Sequence, residues 1–406
     1  MKFSCRLFLT AQICLYSLVS SFSLAQKVEA PKFGKGILNL IGKDSTWSMN
    51  SSVRMQFLGS TEWSEVDGEY LGKPQTAMLL RRARLKFKGF AYDPKLTYAL
   101  QLGLSNRDIS GGSVYTSNSP RYVIDAYLRW AFYKNFSIQI GQAKLPGNIE
   151  RLISSGKQEF VDRSIMNSKF NIDRDIGIQL RHKFSLTKNF KIKEVFSIAQ
   201  GEGRNITTGN IGGYQYTSRV ELYPFGYFTN GGHESGGDFV REQKPKLLLG
   251  IVYDFNKQAV KTRSNQGSYM LIKKGFFKTD ISTLFLDSHF KYKGFSLLAE
   301  YVNRSSDNII AKETDGNMTG DIVNVGSASN FQIGYIFFSK MGASLRYSSI
   351  KLNDLVTNNS CRNQFTFALS KYISKHKLKV QADITFENSI YSNNKVFSRV
   401  QVDFKL

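Results

Sequence analysis

Four histidines and three cysteines are all that this chain of 406 residues contains. The histidines, His182, His233, His289 and His376, stand at no spacing that two ligands of one metal would need, and each reads as structural or solvated. Cys5 and Cys14 lie in an N-terminal segment with the marks of a removable leader. Cys361 is then left alone, which excludes an internal disulfide and a cysteine metal cluster. A serine beside His289 is the one nucleophile pair to weigh, and no nucleophile elbow, phosphate loop or paired-carboxylate motif accompanies it. The run from Gly231 to Gly237 lacks phosphate-loop spacing and reads as a flexible turn. The expectation is a protein without catalytic residues, metal or cofactor. Long apolar runs are missing too: beyond the leader nothing approaches the roughly 20 residues of a membrane helix, and mean hydropathy is −0.28. The absence of a fixed repeat of about 20 to 50 residues disfavours a propeller or a solenoid.

The leader itself is well marked. Lys2 and Arg6 precede an apolar stretch from Leu7 to about Val19, and Ser23-Leu24-Ala25 supplies a small-x-small cleavage site. Residues 1–25 therefore read as a secretory signal peptide, 26–45 as a lead-in, and 46–406 as the folded unit. Losing Lys2 and Arg6, with no acid among the first 25 residues, lowers the net charge from +23 to +21. So large a positive excess points to nucleic acid, an anionic membrane surface or anionic solutes. Export disfavours nucleic acid.

What the chain does have is Phe 31, Tyr 20 and Gly 33 against only Pro 7, the balance of an all-β protein rich in turns. From Trp47 onward, apolar and polar residues alternate in segments of roughly 10 residues, the pattern of membrane-spanning strands. In Tyr122 to Tyr133 the side chains Tyr122, Ile124, Ala126, Leu128, Trp130 and Phe132 share one face, and Asp125, Tyr127 and Arg129 the other. About 16 such segments run from Thr46 to Leu406, separated alternately by tight turns such as Asp93-Pro94-Lys95 and by long polar connections. That is the short-turn, long-loop alternation of a transmembrane antiparallel β-barrel. The connection from Pro224 to Pro245 breaks the rule, being long where a turn is due. A soluble β-sandwich shares the alternation, but about 16 strands are too many for one sandwich. Few charges stand at the centres of the outward face, and aromatics such as Trp130, Phe132, Phe136 and Phe184 crowd strand ends, where interfacial girdles belong.

The charges follow the same period. Across Met78 to Tyr92, Ala83, Leu85 and Phe87 face one way while Arg82, Arg84, Lys86 and Lys88 face the other, a basic ladder down the lumen wall. Arg54, Arg129, Arg181 and Lys183 extend the expected anion pathway from other strands. The acids Asp125, Glu221, Asp254, Asp287, Glu300, Asp383 and Asp403 share the inward face and compete for these cations. The third long loop, Pro146 to Arg174, is the expected constriction, with Arg151, Lys157, Arg163, Lys169 and Arg174 as its cations and Leu152, Ile153, Phe160, Val161, Ile165 and Met166 to pin it to the wall. Tyr127, Phe285 and Phe338 also read as inward, which keeps open a general or oligosaccharide-preferring porin. A barrel that acts through partner-binding external loops is a further alternative.

Several short motifs resemble the phosphate-selective porin O and P family in its Bacteroidetes form: Leu80 to Gly89, Ile140 to Pro146, Phe160 to Ser164, Arg174 to Gly177, Arg219 to Glu221 with Pro224-Phe225-Gly226, and Lys244 to Leu247. The resemblance spans nearly the whole mature chain. It implies a 16-stranded homotrimer in the Gram-negative outer membrane whose inward basic residues guide phosphate-like anions, and it makes the long Pro224 to Pro245 connection a family trait.

Overall fold

The computed structural model describes residues 31–65, 72–355, 361–390 and 393–406. The leader and its cleavage site lie outside these residues. The described chain forms one closed antiparallel barrel. Its strands, numbered here in barrel order, are β1 Ser48–Ser64, β2 Gln75–Ala91, β3 Asp93–Gly103, β4 Val123–Tyr133, β5 Phe136–Lys144, β6 Arg174–Ser185, β7 Lys191–Ala199 and β8 Gln215–Tyr223. They continue with β9 Lys246–Ala259, β10 Thr279–Tyr292, β11 Phe295–Ser306, β12 Gly326–Ile336, β13 Met341–Leu352, β14 Cys361–Ser374, β15 Leu378–Ser389 and β16 Lys395–Lys405. Each expected segment is found, shifted by a few residues at most.

Closure comes from β1 pairing with β16, Arg54 opposite Lys405 through to Ser64 opposite Lys395. Closing the sheet removes both edges, so no open row of strand N–H and C=O groups is left to hydrocarbon. A short strand, Leu38–Ile41, pairs with Ser48 to Ser51 on the edge of β1 just beyond the end of β16. The lead-in thus continues the seam past the last residue, where the Leu406 N–H bonds the Val53 carbonyl at 3.0 Å.

Alternation decides which face meets what. On β9 the exposed residues are Leu249, Ile251 and Tyr253, and the buried ones are Leu248, Val252 and Asp254. Aromatics do gather at strand ends: Trp130 lies 5.8 Å from Phe132, Phe132 6.3 Å from Phe136, and Phe136 stacks on His182 at 4.0 Å. Phe338 departs from expectation. β12 ends at Ile336, and Phe338 sits in the following turn, 83% exposed, against Arg241. Phe285 points inward but is packed in an apolar core, so neither residue offers an aromatic track along the lumen.

Candidate functional site

The connection from Pro146 to Arg174 folds into the barrel, and the sequence explains why it stays there. It carries two short helices, Ile149–Leu152 and Ile165–Phe170, and along the connection the apolar side chains Ile149, Ile153, Phe160, Ile165, Met166 and Phe170 are buried. Ile165, Met166 and Phe170 pack with Val252, Phe285, Val302 and Ile350 of β9 to β13. A lumen that was merely wet would give these groups nothing to bury against.

Polar contacts complete the docking. Glu300 on β11 accepts from the Glu150 N–H at 2.8 Å and Asn148 Nδ2 at 3.0 Å, and Asp287 on β10 accepts from the Ile149 N–H at 3.2 Å. Two wall carboxylates therefore sit at the start of the first helix, where its unpaired N–H groups point. Farther along, Asp383 accepts from the Val161 N–H at 3.0 Å, Gln332 Nε2 donates to Glu150 at 2.9 Å, and Arg346 Nη1 donates to the Asp162 carbonyl at 2.7 Å. The loop leaves β5, crosses the lumen and lies on the opposite wall.

The long Pro224 to Pro245 connection enters from the other end. Lys291 of β10 donates to the carbonyls of Gly232, Ser235 and Gly237, each at 2.8 Å, and the Gly236 N–H bonds the Lys157 carbonyl of the Pro146 to Arg174 loop at 2.8 Å. Lys157 and Glu234 pair at 3.2 Å. The glycine run is thus a pinned segment and not a flexible turn. A Cβ on Gly237 would stand 2.7 Å from Ile336 and 2.9 Å from Glu159, so close approach explains the composition.

With one wall covered, the open space runs along β2 to β8. An outer cavity of about 360 Å³ and an inner one of about 350 Å³ share Gln101, Lys144, Ser154 and Arg174. A third, of about 450 Å³, shares Lys86 and Tyr127 with the inner one and reaches Asn39 to Ile41. Nine cations and three carboxylates line the outer cavity, and eight and three the inner one.

The expected pathway residues divide into three groups. Among the described residues Arg82 bonds only Gln56 Oε1, at 2.6 Å, Arg129 bonds Gln139, and Arg181 bonds Gln179. These three, with Lys86, Lys88 and Lys183, make no ion pair among the described residues. Arg84 is held by both oxygens of Asp108, at 2.5 and 2.7 Å. Arg54 lies 3.3 Å from Asp403 and reaches the His376 carbonyl, beneath the loop and away from the three cavities.

The loop cations also differ among themselves. Arg151 and Asp173 form a two-point pair, and Arg174 pairs with Asp125 at 2.7 Å. Arg163 donates to the carbonyls of Glu150 and Ile153, and burial with neighbouring Arg151 pushes its pKa down to about 9. Burial opposes ionisation of Asp173, yet Arg151 and Arg174 hold it well below the usual carboxylate range. Lys157 lines the inner cavity. Lys169 lies outside these cavities, its pKa lowered by burial and by Arg362.

Sequence reasoning missed Arg81. A bulge opposite Gln56 and Phe57 puts an extra residue into β2, so Arg81 joins Arg82 on the inner side, buried and paired with Asp162. It also missed Arg107, Arg204 and Arg263, which external loops bring over the outer cavity. Period-2 reading assigns no direction to loop residues, so no local signal marked them.

Residues 60–224 match the sequence profile of the family described as phosphate-selective porin O and P. No curated protein matches the chain in sequence. Among solved structures, the barrel is similar to the anion-selective porin from Comamonas acidovorans, with 10% identity, 89% of this chain and 100% of that one covered, and a TM-score of 0.53. It is also similar to Salmonella typhi OmpF in complex with daunomycin, with 14% identity, coverage of 91% and 100%, and a TM-score of 0.54. The outer membrane channel DcaP of Acinetobacter baumannii aligns with 12% identity, coverage of 90% and 99%, and a TM-score of 0.51. These structures show that the chain has the barrel fold of outer-membrane porins, and the profile match over residues 60–224 supports the porin O and P family.

Proposed function

We propose that the channel passes small anions, phosphate or polyphosphate among them, by passive diffusion along a basic passage on the β2 to β8 side of the lumen. The observation that carries this reading is the division of labour between the two walls. Asp287, Glu300 and Asp383 hold the constriction loop. Asp403, Asp125 and Glu221 are taken up by Arg54, Arg174 and Arg219. The inward acids therefore leave Arg82, Lys86, Lys88, Arg129 and Arg181 uncompensated. Fixed cations between low-dielectric walls raise the local concentration of anions and exclude cations. The guanidinium groups suit phosphate and carboxylate geometry.

Residues 1–25 direct export and are removed, 26–45 lead in, the barrel occupies 46–406, and the working assembly in outer-membrane lipid is a homotrimer. The test is planar-bilayer recording on refolded protein, with the reversal potential taken in a potassium chloride gradient and phosphate then titrated against the chloride current. Chloride preference with block by phosphate is expected. Open but non-selective current would demote the reading to a general porin, and no conductance would leave a binding barrel.

A further inference from the structure

Six carboxylates line the three cavities, and one of them differs from the rest. Asp108, Asp125, Asp162, Asp173 and Glu221 each pair with an arginine, and their side chains are at most 27% exposed. Glu234 is 65% exposed, and its one ion-pair partner among the described residues is Lys157, at 3.2 Å. It faces the passage from the inserted Pro224 to Pro245 connection and not from the wall. Besides the inner cavity it borders a further space of about 430 Å³, together with Arg129, Arg181 and Lys193, that reaches the tight turn at Asn135. Its charge acts on Lys193 of β7 and on Lys86 of β2. An anion that leaves the inner cavity toward Asn135 therefore passes Glu234.

The backbone holds the carboxylate in that place. Lys291 Nζ binds the carbonyls of Gly232 and Ser235 on either side of it, and the His233 ring packs against Tyr223 and Phe228, with centroids 5.9 and 6.1 Å apart. On the facing loop the Lys157 N–H bonds the Ser154 carbonyl at 2.8 Å, and the Lys157 carbonyl accepts from Gly236. Two locked segments thus present the pair at their junction. Glu234 accepts no other hydrogen bond among the described residues. An exposed ion pair adds little to stability, so the seating of the loop does not require this carboxylate. What the pair does alter is the passage, because Glu234 cancels the charge of one of its cations.

A channel must bind a solute strongly enough to draw it in and weakly enough to let it go. We propose that Glu234 is the release residue of the passage: its carboxylate occupies Lys157 in place of a transported anion and keeps the inner cavity from retaining multiply charged ones. This rests on the anion reading above. Removing one unit charge at about 6 Å changes the hold on a doubly charged phosphate about threefold at 0.15 M salt and about sevenfold at 10 mM. The experiment is planar-bilayer recording on refolded protein at both salts, with inorganic phosphate in alkaline buffer titrated against the chloride current of the wild type, Glu234→Gln, Lys157→Gln and the double variant. The half-blocking phosphate concentration should fall by these factors in Glu234→Gln, rise by similar ones in Lys157→Gln, and return close to the wild-type value in the double variant. Block unchanged in Glu234→Gln, or a shift of both single variants in one direction, as a mere strut between the two segments would give, overturns the assignment alone. Absence of phosphate block in the wild type overturns it together with the anion reading.

Discussion

Neutralising Arg82 and Lys86 together, as Arg82→Gln with Lys86→Gln, tests the passage at its two central free cations. Neither makes an ion pair among the described residues, and Arg82 bonds only Gln56, so little of the wall depends on their charge. An anion passing at about 6 Å gains about 0.7 kcal/mol from one unit charge in water. Screening with a Debye length of about 8 Å at 0.15 M salt leaves about 0.3 kcal/mol, and one of about 30 Å at 10 mM leaves about 0.6 kcal/mol. For two charges the chloride conductance should fall about threefold at 0.15 M and about sevenfold at 10 mM, with one factor of ten for each 1.4 kcal/mol. These are lower bounds, because protein walls focus the field. Single-channel recording at both salts measures the ratio, with Lys273→Gln as control, since that side chain is 73% exposed on an external hairpin. A loss that does not grow at low salt, or an equal loss in the control, would refute the electrostatic reasoning.

Glu300→Leu removes the acceptor of the Glu150 N–H and of Asn148 Nδ2 and leaves buried donors unpaired, at a cost of about 1 to 3 kcal/mol to the seating of the Pro146 to Arg174 loop. Larger and noisier single-channel currents should follow, and unchanged traces would show that Glu300 does not hold the loop. For acid, the sign follows from the lowered Asp173: its contribution is complete above the unfolded carboxylate value of about 3.9 and is lost as pH falls through the folded value. Hydrogen exchange of residues 146–174 should therefore be flat from pH 7 to about 5 after correction for intrinsic rates and rise only below about pH 4, and loosening already complete at pH 5 would contradict this. Gly334→Val places a Cβ against Glu159 Oε1 and Ser344 Oγ, so the buried Glu159 side chain must leave its seat. The expected cost is about 1 to 3 kcal/mol, read as a lower urea midpoint, and a neutral result would mean that Glu159 is not seated there.

The strands were legible because their information is local. Side chains alternate with period 2, so Leu249, Ile251 and Tyr253 declare a lipid face without reference to any other strand. The ladder on β2 was legible for the same reason, and Arg81 was not, because a bulge is a mismatch with the partner strand and appears only in the pairing of Gln56 with Arg82 and Phe57 with Leu80. The apolar residues of the third loop signalled a segment that would seek burial, though not the wall it would choose.

By itself, then, the sequence determined a closed barrel of 16 strands, the side of each strand that meets lipid, and a surplus of inward cations. Only the tertiary structure decided where that surplus remains free. Glu150 meets Gln332 across 182 positions and Val161 meets Asp383 across 222. Contacts so distant in the chain are set by how the loops cross the lumen, and they engage the acids on one wall while Arg82, Lys86, Lys88, Arg129 and Arg181 on the other make no ion pair among the described residues.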